Sequence, residues 1–146
     1  MWKYQNQELT NIPEDSIGYI YQITNLIDNK IYIGKKLLSS NRKVRLTKKE
    51  KLLPENKRKT FKRVIKETDW QNYWSSSDEL KQDVSRLGKE NFKREILLFV
   101  KTKQDLSYYE TYFQMKFDVL FSNSYNKNIL GKFYKGKINE LKNLDK

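Results

Sequence analysis

The chain contains neither histidine nor cysteine. The usual general base, the thiol nucleophile and the imidazole and thiolate metal ligands are therefore all missing. Hydrolytic chemistry has to be assembled from Tyr, Lys, Arg, Asp, Glu, Ser, Thr and Asn, with a hard cation held through oxygen. The stretch Gly18–Lys36, GYIYQITNLIDNKIYIGKK, concentrates such groups: Tyr21 and Tyr32, with Lys35 and Lys36 close behind. An unperturbed phenol titrates near pH ~10, so either tyrosine serves as a base only where cations lower it. Glu110 is the other conspicuous group. At about 100° per residue, with Leu106 at zero, Phe113 falls near about −20°, Phe117 near about +20° and Glu110 near about +40°. A carboxylate inside that apolar arc costs desolvation energy unless it is paired with Lys or Arg, protonated or bound to a cation.

The elements that must position these groups are legible in outline. Within Gly18–Lys36 the two short runs that carry Tyr21 and Tyr32 are β-branched and aromatic, and Asp28-Asn29 between them signals a turn, so the stretch predicts a β-hairpin. Its register decides whether the phenols meet. Pairing Thr24 with Ile31 places Tyr21 opposite Gly34 and on the face of Tyr32, and a one-residue slip separates them. Ordinary packing is the alternative role for two strand tyrosines. Ser76-Ser77-Asp78-Glu79 has the form of a capping box, and Leu80, Val84 and Leu87 continue one helical face up to Gly88, so a helix is expected at about 77–88. Phe92–Val100 predicts a third strand, polar at first and apolar from Ile96. Thr102-x-x-Asp105 opens a further helix with Leu106, Tyr109, Phe113, Phe117 and Leu120 on one stripe. Residues 1–16 predict an irregular lead-in with Trp2 and Tyr4 packed on the domain. Residues 37–69 predict a short helix near Asn41–Leu53 and a mobile connection beyond Pro54. A turn-like segment follows Ser122, with a short terminal helix at about Lys137–Leu144. The expected class is α/β (α+β), a small three-stranded antiparallel sheet flanked by helices. One domain fills residues 1–146, with a core of about 17–129, a basic insertion of about 37–69 and an extension over 130–146.

Charge identifies the partner. Residues 35–66 hold fourteen Lys or Arg against two Glu, which accounts for the whole net charge of +12. A block of this density is the footprint of a polyanion, most simply nucleic acid. Its candidate contacts are Lys36, Lys43, Arg45, Lys48, Lys49, Lys57, Arg58, Lys59, Lys62 and Arg63. The block lacks the apolar, aromatic-anchored face of a membrane binder, and a solvated lysine-rich loop is the bland alternative. No apolar run is long enough to cross a bilayer, and the N-terminus lacks a signal-peptide core, so a cytoplasmic location is expected.

Gly18-Tyr19-Ile20-Tyr21 and Tyr32-Ile33-Gly34 resemble the paired signature of the GIY-YIG nuclease family, with one extra residue in the first element and the family's usual step between the tyrosines. Arg42 stands where the family places its arginine, Glu110 has the context of its metal-binding glutamate, and Asn126 in Tyr125-Asn126 matches its late asparagine, with Asn128 near enough to compete. Lys35 matches a lysine found in some members. The resemblance covers about Ile17–Ile129 and extends to phage-encoded free-standing endonucleases, which would place the chain in the host-cell cytoplasm. It implies an endonuclease acting on DNA, double-stranded by preference. One Mg²⁺ or Mn²⁺ would sit on Glu110, Arg42 would neutralise the phosphorane, and Tyr21 or Tyr32, aided by Lys35, would act as base. Asn126 would brace the site. Dimerisation or the 37–74 segment would supply specificity. A binding protein that retains the fold without cutting is the alternative, and RNA is a further possible substrate.

Overall fold

The hairpin forms in the register that brings the two phenols together. In the structure, a computed structural model in which residues 1–144 are described, β3 (Gly18–Asn25) and β4 (Ile31–Leu37) are antiparallel, with Thr24 opposite Ile31 and Tyr21 opposite Gly34. The turn uses Asn29 in the left-handed region, a conformation that Asn tolerates better than most residues. The other side of β3 pairs antiparallel with β7 (Phe92–Val100), the third strand expected from the sequence. A bulge between Ile20 and Tyr21 shifts that ladder, a device that re-aims side chains.

The sheet has five strands rather than the three expected. Residues 1–16 are not wholly irregular: β1 (Trp2–Tyr4) runs parallel to β7 and turns into β2 (Gln7–Glu8), giving the order β2-β1-β7-β3-β4. The reason is burial. Trp2 is 3% exposed, and its ring packs edge-on against Tyr19 and Tyr21 at 5.2 and 5.4 Å.

Helices cover both faces. The face with Tyr19, Tyr21, Ile23, Arg94 and Ile96 packs under α2 (Asp78–Leu87), through Leu80 and Val84, and under Trp70. The opposite face, with Ile20, Ile33 and Val100, packs against Leu106 of α3 (Lys103–Lys116) and then Val119, Leu120 and Ile129. The cap of α2 is Ser77, whose hydroxyl accepts from the Leu80 amide, so the cap lies one residue past Ser76 and the expected box with Glu79 does not form. Thr102 caps α3 as expected. That helix stops at Lys116, so Phe117 and Leu120 lie beyond it, and Tyr109 faces outward. After it come a two-residue ribbon, β8 (Asn128–Ile129) with β9 (Phe133–Tyr134), and α4 (Leu141–Leu144), shorter than expected. Residues 145–146 of the expected extension lie outside the described residues.

The largest correction concerns the basic block. In place of a helix near Asn41–Leu53 and a mobile connection, β5 (Ser39–Arg45) and β6 (Phe61–Glu67) form a separate antiparallel ribbon of seven residue pairs. Only Lys48–Lys51, capped by Thr47, is α-helical, and it forms α1 at the tip. Weak apolar periodicity hid two strands that pair through backbone bonds and bury little. The root is fastened to the core: the Thr68 amide donates to Leu38 O at 3.0 Å and its hydroxyl to Leu37 O at 2.6 Å.

Trp2→Ala is expected to cost about 3–5 kcal/mol in urea-induced unfolding, as an integral strand requires. A loss below ~1 kcal/mol would show that β1 is not part of the core.

Candidate active site

β4 is an edge strand, and its outward amides need partners. The chain supplies them in sequence. Ile31 N–H donates to Asn123 O at 3.1 Å, and Ile33 N–H donates to Asn126 Oδ1 at 3.0 Å. Asn126 returns a bond from Nδ2 to Ile33 O at 2.9 Å, so one buried side chain closes a two-bond ring on the strand as another strand would. Gln114 of α3, also buried, donates to the same carbonyl at 3.2 Å. Two residues further on, Lys35 meets Glu110, with its amide and its ammonium both favouring the ionised carboxylate. The Lys35 Nζ to Glu110 Oε1 distance is 3.9 Å, and the same ammonium donates to Ser107 at 3.0 Å. The pair is therefore loose. Burial outweighs it and raises Glu110 above the ordinary carboxylate range.

On the other side of the edge stand the phenols. Tyr21 and Tyr32 are 6.0 Å apart between ring centroids, and both lie against Gly34. A Cβ at Gly34 would sit 2.5 Å from Tyr21 Oη and 2.8 Å from Tyr32 Cε1, so glycine is required for lack of space. Tyr21 is only 1% exposed, and burial pushes its phenol well above the ordinary value. Tyr32 is half-buried, borders a polar cleft with Ser76, Tyr125 and Lys127, and shares a hydrogen bond with the Ser76 hydroxyl at 3.1 Å. Its phenol is raised too, first by desolvation, then by the nearby Tyr73 and by Glu110, while Ser76 opposes the shift.

The Tyr32 phenol thus feels the Glu110 charge across the strand edge, although α3 packs on the opposite face. The structure brings together Tyr21, Tyr32, Lys35, Glu110 and Asn126 along β4. Arg42 stands apart from them. It lies on β5, opposite Val64, exposed and without an ion pair among the described residues. Lys36 is no free surface cation either: it pairs with Asp69 at 2.8 Å and lies 4.0 Å from the Tyr73 ring centroid. Lys62 is held by Glu50. Lys43, Arg45, Lys48, Lys49, Lys57, Arg58, Lys59 and Arg63 are exposed on the ribbon and its tip.

Sequence reading missed three neighbours. Tyr73 stands edge-on to Tyr21 at 5.9 Å and adds a third phenol. Ser76, read only as a cap, bonds Tyr32 instead. Arg94 is 7% exposed, is sandwiched between Trp2 and Trp74 at 4.6 and 4.3 Å, and donates from Nη1 to Tyr73 O at 2.8 Å and Gln71 O at 3.2 Å. It holds the segment that presents Tyr73. The alternation Phe92, Arg94, Ile96 is the signal that could have exposed it, a charge in the inward phase of a strand.

A phenol pair on a hairpin, with a desolvated carboxylate on the helix after Phe92–Val100, agrees with the expected class, a GIY-YIG-type nuclease. The family model described as "Putative endonuclease segE, GIY-YIG domain" matches residues 2–138, and the chain belongs to this family of endonucleases. No curated protein and no solved structure matches it.

Gly34→Ala is expected to destabilise the fold by about 1–3 kcal/mol and to reduce cleavage far more than loss of folded protein explains. Urea unfolding and plasmid cleavage check the two parts, and unaltered cleavage would show that the rings need not lie over residue 34.

Proposed function

We propose that the chain hydrolyses phosphodiester bonds in double-stranded DNA with the help of one divalent cation held at Glu110. The observation that carries this reading is the desolvated Glu110 carboxylate, loosely paired with Lys35 on the strand that carries Tyr32 and leads directly into the basic ribbon. The donor set suits Mg²⁺ or Mn²⁺. Magnesium binds through one or two carboxylates and completes its shell with water and substrate phosphate, so a single glutamate suffices. When bound, the ion would polarise the scissile phosphate and stabilise the leaving oxygen.

The remaining roles fall to the chain's own groups. Exposed lysines and arginines of the ribbon and its tip hold the DNA backbone through phosphates. Tyr32 is the phenol with access to water at the phosphate, and Tyr21 beneath it fixes the ring's position. One tyrosine of the pair, its own phenol proton first released to solvent, would take the proton of the attacking water, aided by Lys35, whose ammonium lies beside the carboxylate. Asn126 keeps Ile33 fixed between Tyr32 and Gly34. Arg42 joins the phosphate from the ribbon only if DNA bends β5 toward the site, so its contribution is to a substrate-assembled state.

Glu110→Gln is expected to abolish plasmid cleavage while preserving DNA binding. A raised carboxyl pKa means that the folded state holds the proton more tightly than the unfolded chain does, so ionisation opposes folding as pH rises above the ordinary carboxylate range. At pH 7 the metal-free Gln variant should therefore melt higher than wild type. Mg²⁺ or Mn²⁺ should raise the Tm of wild type and leave the variant unmoved. Equal metal response in both proteins would remove Glu110 from the metal site.

Tyr32→Phe is expected to lower the cleavage rate at least about a hundredfold, as loss of acid–base assistance does, with affinity for duplex DNA unchanged. Retained turnover would assign the proton elsewhere.

A further inference from the structure

The register of the basic ribbon sorts its side chains onto two unlike faces. Asn41 is opposite Ile65, Lys43 opposite Arg63 and Arg45 opposite Phe61, so these six share one face. The other carries Arg42 and Lys66, both exposed, Val44 and Val64, both half-buried, and Lys62, which Glu50 holds. All six residues of the first face are exposed, including Ile65 at 72% and Phe61 at 43%. The only carboxylate in that phase is Glu67 at the root, already accepting from Trp70 Nε1 at 2.9 Å.

We propose that this open face enters the DNA major groove and reads base edges there. The inference rests on the endonuclease reading for its substrate and adds the source of specificity. Phosphate contact alone accounts for the lysines but gives no use to an exposed isoleucine or a neutral asparagine between cations. Base edges use every type present. Arg pairs with guanine O6 and N7, Asn with adenine N6 and N7, and an apolar side chain with the thymine methyl. Size selects the groove. Two strands about 4.8 Å apart, with their side chains, fit the major groove of about 12 Å and not the minor groove of about 6 Å.

Place and length set the expected geometry. The ribbon is rooted at the Ser39–Glu67 pair, next to the Lys36–Asp69 ion pair that borders the tyrosines. Its seven residue pairs reach about 23 Å at ~3.3 Å each. At about 3.4 Å per base pair, the bases read lie within roughly seven base pairs of the cut, on one side. The tip cations, Lys48, Lys49 and Arg58 among them, then fall on the flanking phosphates.

The test is a binding selection from random-sequence duplexes, carried out with full-length Glu110→Gln protein so that bound DNA is recovered uncut. The parent should select a short sequence. Adding Asn41→Ala or Arg63→Ala should flatten the preference roughly tenfold at one or two adjacent base pairs, with non-specific affinity falling no more than about threefold. Arg58→Ala should instead weaken all sequences alike. Replacing the selected purines by 7-deaza analogues removes the major-groove N7 acceptor without altering the protein, and should weaken binding by a similar factor. Unchanged preference in both face variants, no loss with the 7-deaza duplex, or no preference in the parent would overturn the inference. A wild-type chain that selects sequence without cutting would sink the endonuclease reading alone, and one that cuts all sequences equally would sink the ribbon inference alone.

Discussion

An unprotected strand edge is the constraint from which the rest of the site follows. β4 ends the sheet, and its outward amides at Ile31 and Ile33 would remain open to solvent or to another chain. The Ser122–Asn126 segment closes them with one backbone carbonyl and one side-chain amide, and the next amide along, at Lys35, faces Glu110. A true sixth strand would have covered this edge completely and excluded any reactive group from it. Because irregular chain and single side chains do the covering, the edge stays open between the face of Lys35 and Glu110 and the face of the phenols, and the site proposed above needs that opening.

The other face shows how a chain without histidine arranges a polar centre. Tyr21, Tyr32 and Tyr73 cluster where the sheet meets the 69–77 segment, and the buried cation Arg94 makes no ion pair among the described residues. Its charge is satisfied by two carbonyls and two indole faces, while Nε finds no partner. Desolvation lowers its pKa from the ordinary value, yet a guanidinium stays protonated. A lysine in its place would lose the planar stack between the indoles. Arg94 therefore orders the loop that supplies Tyr73 and Ser76, and the site's rigidity depends on a residue that touches no substrate.

The sequence made some of this visible and concealed the rest for identifiable reasons. The hairpin, the Phe92–Val100 strand and the start of α3 at Lys103 carry strong local signals: period-two apolar residues, a turn dipeptide and a capping threonine, while the hairpin's register is settled only by the observed pairing of the strands. The odd placement of Glu110 was legible because a carboxylate in an apolar arc violates patterning. β1 was not legible, because three residues have no period and Trp2 is fixed by tertiary contact with rings far along the chain. The ribbon was hidden for the opposite reason. Its strands are stabilised by pairing with each other and not by a core, so alternation of apolar residues is absent. Arg42, placed by spacing from Tyr32, stands on that ribbon: the step along the chain leads up an extended strand instead of around a helix.

On the reading proposed above, the electrostatics of the resting site make reactivity conditional on substrate. Both catalytic phenols and Glu110 are shifted toward their neutral forms by desolvation, and the ion pair with Lys35 is too long to reverse this for the carboxylate. A site of this kind does not hold a ready phenolate that could attack any passing ester. Glu110 would hold a divalent cation only in its ionised form, and the positive charge supplied there would favour loss of the Tyr32 proton as well. The groups would then reach their reactive protonation states together, when metal and DNA are both present. A histidine would titrate near neutrality without such help. Phenols and one desolvated carboxylate would link chemistry to binding more tightly, which would suit a nuclease that carries so basic a ribbon.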